Sequence, residues 1–250
     1  MAGHSKWANI RFRKGVQDAR RGKIFTKYIR EITVATRVGG SDIAHNPRLR
    51  TAIDKALAQN MPKDNIERAI KRGSGALDGA DYEEVHYEGY TPGGAALFIE
   101  CTTDNRNRTA GEVRHALAKH GGNLGTDGSV AYLFRKLTLL TFPASAASGD
   151  ALLEAALEAG ADDLVTGADG MVEVLAPPEA LGSLRETLSR RGFPPIEAAV
   201  VLRPTTSILL AGDEAVQTMK LLDVLEDLDD VQNIYTNAEF PEELMSQSSA

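Results

Sequence analysis

The chain has 250 residues, 42% of them hydrophobic and 25% charged, with 28 Lys+Arg against 35 Asp+Glu for a formal net charge of −7. That length and ordinary globular composition allow two or three separate cores. The single cysteine, Cys101, excludes an intramolecular disulfide framework and a cysteine-only metal site, and no run approaches the roughly 18 apolar residues that span a bilayer.

Residues 1–22 read as a basic arm punctuated by glycine, with Trp7, Ile10 and Phe12 as apolar anchors. The spacing of Ile24, Phe25, Tyr28, Ile29, Ile32 and Ala35 predicts a helix over 23–38, closed by Gly39-Gly40. Asn46 fits an N-cap and Pro47 the first position of a second helix, with Leu49, Ala52, Ile53, Ala56 and Leu57 inward. Pro62 opens a third helix that buries Ile66, Ala69 and Ile70 and stops at Gly73. Gly73-Ser74-Gly75 and Gly79 then form a linker.

Beyond the linker, strands are predicted at 82–88 and 95–102, a helix at 109–119 with Thr109 and Glu112 at capping-box spacing, and a strand at 129–134. Cys101 falls in the apolar run 95–101 and reads as a buried strand thiol. Strand 137–142, helix 149–159, strands 163–166 and 171–175, helix 178–191 and strand 196–202 follow in β-α-β-β-α-β order. Strand 206–210, helix 213–227 and strand 231–236 return to the interrupted domain. The expected class is α+β in three lobes. They are a basic three-helix domain at 23–75 behind the 1–22 arm, an α+β domain at 76–135 plus 204–250, and an inserted ferredoxin-like domain at 136–203.

The charge is unevenly placed. Residues 1–75 hold 17 basic and 6 acidic side chains, whereas the remaining 175 hold 11 and 29. Such a block attracts polyanions, and the acidic remainder limits where they settle. Lys6, Arg11, Arg13, Lys14, Arg20, Arg21, Lys23, Lys27 and Arg30 are opposed within their span only by Asp18. Arginine offers phosphate a planar fork and lysine a mobile point charge. Lys63, Arg68, Lys71 and Arg72 add cations on the third helix. Trp7 suits stacking on an unpaired base as well as packing, whereas Phe25 belongs to its helical stripe. Asn105, Arg106 and Arg108 suit phosphate and base-edge contacts, or a turn whose asparagines cap backbone groups.

Other chemistries find little support. The glycine-rich run 121–129 follows a helix and lacks the Gly-Lys-Ser/Thr ending of a phosphate loop, so it reads as a connection. The histidines lack zinc-hydrolase spacing, and there is no nucleophile elbow. Glu226, Asp227, Asp229 and Asp230 could hold Mg²⁺, could repel nucleic acid from that edge, or could form a solvated helix end; the last is preferred. No catalytic residue, metal or cofactor is predicted.

These segments resemble the YebC/PmpR family, which includes mitochondrial translational activators of cytochrome c oxidase subunit I. The likeness is carried by Gly3-His4-Ser5-Lys6-Trp7, residues 18–25, Arg30-Glu31-Ile32, residues 60–66, Tyr87-Glu88-Gly89-Tyr90, residues 103–109 and residues 225–233. Ile43-Ala44 and Thr91 depart from the family pattern, and the inserted lobe matches loosely. The resemblance implies a three-domain cytoplasmic protein without catalytic activity. It points to a DNA-binding transcriptional regulator, with a ribosome- or rRNA-associated translation factor as the alternative. No helix pair carries an obvious recognition-helix signature, and aromatics in an arm would suit RNA. No membrane or small-molecule partner is expected.

Overall fold

The computed structural model describes residues 18–79, 81–147, 150–167, 170–241 and 244, with the side chains of 18–21, 146 and 147 left undescribed. The described chain forms two compact units. One runs up to Ala131 and includes Leu210–Thr236; the other comprises Tyr132–Leu209 and the chain from Asn237. The helical lobe and the first α+β lobe, expected as separate domains, therefore lie in one unit, and the inserted unit is wider than 136–203.

In the first unit, α1 (Asp18–Gly39), α2 (Pro47–Ala58) and α3 (Lys63–Gly73) form a bundle. α1 starts five residues before the predicted position and runs through Gly22, because one glycine costs only about 1 kcal/mol against good helix formers on either side. The bundle core is Ile32, Ala35, Leu49, Ala52, Ala56, Met61, Ile66 and Ala69, with Phe25, Tyr28, Ile29, Ile53 and Ile70 packed around it. Each fully buried Leu or Ile contributes about 1.5–3 kcal/mol. Leu57, expected inward, is 41% exposed.

Asn46 organises the corner between α1 and α2. Its Oδ1 accepts from Leu49 N (3.0 Å), while its Nδ2 donates to the carbonyls of Ala35 and Gly40 (both 2.8 Å). A single buried amide thus caps one helix start and satisfies carbonyls at the other helix's end. Gly73 lets α3 lie close on α1, since a Cβ there would collide with the Thr33 carbonyl.

The same unit contains the sheet β3-β1-β2-β9, built from β1 (Glu83–Tyr90), β2 (Ala96–Thr103), β3 (Asn123–Leu124) and β9 (Val231–Thr236). β1–β2 and β2–β9 are antiparallel, and Cys101 pairs with Val85 and Val231 in the sheet interior. Burial pushes the Cys101 thiol up to about 12, as expected of an inert strand cysteine. α4 (Arg106–Lys119) and α7 (Gly212–Glu226) bury Val113, Ala116, Leu117, Leu221, Leu222 and Leu225. α4 begins earlier than predicted. Its cap is Asn105, whose side chain accepts from Arg108 N (3.1 Å), and not Thr109.

The second unit carries β4 (Phe134–Phe142), α5 (Ala151–Glu158), β5 (Asp163–Thr166), β6 (Val172–Ala176), α6 (Leu181–Arg190) and β7 (Glu197–Pro204). Its sheet order is β5-β6-β4-β7, all neighbours antiparallel, which is the ferredoxin-like arrangement of a β-α-β-β-α-β chain. Alternate residues Leu140, Phe142, Val172, Val174 and Ala176 meet Leu152, Leu184 and Leu188 of its helices. A short parallel pair, β8 (Ile208–Leu209) with β10 (Ala238–Glu239), ties the C-terminal segment to this unit. The strand predicted at 129–134 is absent: residues 131–133 form a 3-10 turn and β4 begins at Phe134.

Candidate nucleic-acid interface

The structure separates the predicted phosphate-binding cations into two sets. Lys6, Trp7, Arg11, Arg13 and Lys14 lie outside the described residues. Arg20 and Arg21 lie in the first turns of α1, their side chains likewise outside the description.

Lys23, Lys27 and Arg30 are engaged within the first unit. Residues 32–36 of α1 are buried in unbroken succession, so in that turn the helix has no free face. One of its neighbours is the end of α7 and the acidic run that follows. Lys23 Nζ donates to the Asp227 carbonyl (2.9 Å) and Lys27 Nζ to the Glu226 carbonyl (2.7 Å). Those carbonyls close a helix whose last turn lacks intrahelical donors and carries the negative end of its dipole, so two ammonium groups complement it.

Arg30 goes deeper. Its Nη1 donates to Asp230 Oδ1 (2.6 Å) and to the Asp229 carbonyl, and its guanidinium lies 5.3 Å from the centre of the Tyr82 ring. Asp230 is 2% exposed. Its Oδ2 accepts from Thr109 Oγ1 (2.6 Å), Arg108 Nη2 (2.9 Å) and Thr103 Oγ1 (3.0 Å). A buried carboxylate is tolerable when cations and donors fill its lone pairs, and here two guanidinium groups and two hydroxyls do so. Burial pushes its pKa up. The Thr109, Arg108 and Thr103 hydrogen bonds and the Arg30 charge outweigh that, so the net displacement is downward.

The second predicted contact group has partners within the same unit. Asn105 is a helix cap, Arg108 bonds Asp230 and Asp104 (2.7 Å), and Arg106 Nε pairs with Glu83 (3.2 Å). The reading of 226–230 as a solvated helix end is corrected at Asp230, which is the buried anchor joining α1, α4 and the start of β9. Sequence reasoning missed that hub because its parts sit in separate motifs.

Lys63, Arg68, Lys71 and Arg72 differ. All four are exposed on α3, and none has an ion pair or side-chain hydrogen bond among the described residues. Ile66, Ala69 and Gly73 occupy the buried side of α3. At 100° per residue, Arg68 and Lys71 therefore fall on the outward side with Asp64 and Glu67, flanked by Lys63 and Arg72. α2 and α3 are joined by residues 59–62, and Asn60 turns the chain at φ 59° without a glycine. This is a helix, a four-residue turn and a second helix whose outer surface is cationic on balance.

Glu88 shows how the glycine-rich connection is used. Its buried carboxylate accepts from the backbone N–H of Gly128 (2.7 Å), Val130 (2.6 Å) and Ala131 (2.8 Å). The loop does cradle an anion, but that anion belongs to the protein. His86 Nε2 lies 2.9 Å from Asp127 Oδ1 and 4.0 Å from Glu88 Oε1, at a cleft of about 380 Å³ that includes Arg106. Among the described residues, His86, Glu88 and Asp127 are the donors that could be offered to a divalent ion. Glu88 already has three backbone partners.

Comparison with known proteins covers both units. Residues 5–76 match the model described as the TACO1/YebC protein N-terminal domain, and residues 82–238 match the TACO1/YebC second and third domain. A protein of Methylococcus capsulatus is 59% identical over 247 residues, and one of Nitrosococcus oceani 56% over 247. Each alignment covers 99% of both chains, and each relative is named a probable transcriptional regulatory protein. The crystal structure of a conserved hypothetical protein from Aquifex aeolicus superposes with a TM-score of 0.82 at 49% identity, over 91% of this chain and 93% of that one. The fold is thus shared with that protein over 91% of this chain, and the two family matches, over residues 5–76 and 82–238, show that the chain belongs to the TACO1/YebC family.

Proposed function

We propose that this protein is a non-enzymatic, nucleic-acid-binding transcriptional regulator acting in the cytoplasm, and that the outer face of α3 is its described phosphate contact. The observation that carries this reading is the contrast in partners. Lys23, Lys27, Arg30 and Arg108 are held by carbonyls and carboxylates of the same unit, whereas Lys63, Arg68, Lys71 and Arg72 have no such partner among the described residues. Unpaired, exposed cations on one helix are suited to exchanging counterions for phosphates. The order helix, four-residue turn, helix is one by which DNA-binding proteins bring a second helix to the major groove, and this supports duplex DNA as the partner. The names of the bacterial relatives point in the same direction.

The test replaces Lys63, Arg68, Lys71 and Arg72 together by Ala and follows duplex binding against salt. Loss of four phosphate contacts flattens the slope of log affinity against log salt by roughly 3 to 4, with the fold intact by circular dichroism. An unchanged slope removes the site from α3. No binding by the wild-type protein even in dilute buffer removes the function. Crosslinking in cells then separates promoter DNA, the expected partner, from ribosomal RNA, the translational alternative.

A further inference from the structure

The cleft beside β1 gathers three side chains whose chemistry phosphate contact does not use. His86 and Glu88 stand two residues apart on β1, so the strand places them on one face. Asp127 reaches them from the loop that follows β3. His86 Nε2 lies 2.9 Å from Asp127 Oδ1 and 4.0 Å from Glu88 Oε1, and the three donor atoms all lie within 4.8 Å of one another. An ion held tetrahedrally at about 2.1 Å keeps its donors roughly 3.4 Å apart, so a movement of about an ångström at one carboxylate closes the set.

The three donors are fixed to different degrees. Glu88 is rigid: its side chain is 1% exposed and three backbone N–H groups hold it. Two of those bonds, from Val130 and Ala131, go to Oε2, whereas Oε1 accepts only from Gly128 N among the described residues. One lone pair of Oε1 is left over. The His86 ring is stacked on Phe98, with centroids 5.1 Å apart and planes 13° from parallel. Asp127, 88% exposed, is the member with room to turn.

A second observation comes from the same wall of the cleft. Ser129 Oγ is buried and has no hydrogen-bond partner among the described residues. It lies against Gly125, where a Cβ would come within 2.5 Å of it, and Gly125 lines the cleft. A buried hydroxyl in that state costs free energy until a ligand or its bound water satisfies it. The charges also balance. Arg106, on the cleft wall, pairs with Glu83 (3.2 Å), which leaves Glu88 and Asp127 to offset two positive charges.

We infer that His86, Glu88 and Asp127 bind one divalent transition-metal ion of the zinc class, through Nε2 and one oxygen of each carboxylate, with water completing the shell. The imidazole donor selects against Mg²⁺ and Ca²⁺, which take oxygen ligands. The ion replaces the His86–Asp127 hydrogen bond, the proton of that bond passing to water, and it clips the 121–129 connection to β1. The site is independent of the cations on α3.

The experiment uses the full chain, stripped with a chelator, exchanged into metal-free buffer and titrated calorimetrically with Zn²⁺ and, in parallel, Mg²⁺. Wild type should take up one Zn²⁺ here, with a raised Tm and a displaced His86 Nε2 resonance. His86→Ala and Asp127→Asn should each weaken that uptake roughly 10-fold or more and abolish the Tm rise. Both side chains are exposed, at 49% and 88%, so the variants should fold, which circular dichroism checks. Zn²⁺ held elsewhere, such as at His45 and Asp42, is unmoved by either substitution. No Zn²⁺ uptake by wild type, or the same uptake and Tm rise in both variants, overturns the inference. Mg²⁺ binding as tight as Zn²⁺ overturns the choice of ion. The duplex salt slope should be the same in wild type and both variants, so the α3 reading stands or falls separately.

Discussion

α1 and α3 are both basic helices of one bundle, and they differ in what their cations meet. α1 lies between α2, α3 and the end of α7, so its Lys23, Lys27 and Arg30 reach carbonyls and a buried carboxylate. α3 packs along one side only and leaves Lys63, Arg68, Lys71 and Arg72 outward. Local charge density therefore marks a region without saying which of its charges are available. A cation becomes a candidate contact only after the protein's own acceptors have been counted. By that measure the basic block is two devices: an internal clamp on the acidic segment 226–230, and an external face.

The largest expected effect tests the clamp. Asp230→Ala leaves the Arg30 guanidinium buried without its carboxylate and should cost about 3–5 kcal/mol, the usual penalty for breaking a buried ion pair from one side. Urea unfolding of the first unit's signal reads this out. The salt slope of nucleic-acid binding should stay as in wild type at temperatures where the variant is folded. The same group sets an acid limit. Its carboxyl titrates below its ordinary value in the folded state. Its contribution is therefore complete above the unfolded carboxylate pKa of about 3.9 and is lost as pH falls through the lower folded value. Asp230→Asn should be less stable than wild type at pH 7, and the gap should narrow as the pH drops below about 4. A gap that widens on acidification would mean that Asp230 is not the group being protonated.

A smaller effect belongs to Arg48, the cation of α2 that faces both neighbours of the clamp. Its Nε and Nη2 donate to Glu31 of α1 (2.8 and 3.1 Å), and its Nη2 also reaches Glu84 of β1 (2.6 Å). Burial lowers its pKa, but the bonds to Glu84 and Glu31 outweigh this and raise it overall. The side chain is 38% exposed, so solvent screening discounts the pair, and Arg48→Met should cost about 1 kcal/mol. Binding should again keep its salt slope. If the slope flattens, Arg48 belongs with the external set and the division by partner is too sharp.

What the sequence made legible follows the range of the forces involved. Asn46-Pro47 marks the start of α2 because a cap and a fixed φ act over a few residues. The β-α-β-β-α-β order was readable because strand alternation and Gly/Pro breaks are local too, and the sheet order follows from that topology. The clamp was not readable. Arg30 lies 200 positions from Asp230 and Arg108 lies 122 away, so no window contains both halves, and four carboxyl groups in a short run look like any solvated helix end. The 129–134 segment failed for a related reason. Its apolar run suggests a strand, yet Glu88, some 40 positions upstream, draws the N–H groups of Gly128, Val130 and Ala131 onto its carboxylate and folds the backbone into a turn.

The smallest expected effect is the most discriminating, because Lys23 sits at the border between the two devices. Its side chain is 44% exposed, its carboxylate partner Asp227 is 3.8 Å away and itself exposed, and its firmest contact is the Asp227 carbonyl. A charge so placed at a helix end contributes a few tenths of a kcal/mol at most. Lys23→Ala should therefore shift unfolding barely beyond error, and in the clamp assignment it should also leave the salt slope intact. A four-carbon stem can nevertheless swing. If a phosphate competes successfully with the Asp227 carbonyl, the substitution flattens the duplex slope by about 0.9, one counterion's worth, while stability hardly moves. That outcome would extend the interface from α3 to the first turns of α1 and make the carbonyl contact its resting state; an unchanged slope would put the boundary between the two sets of cations at α3.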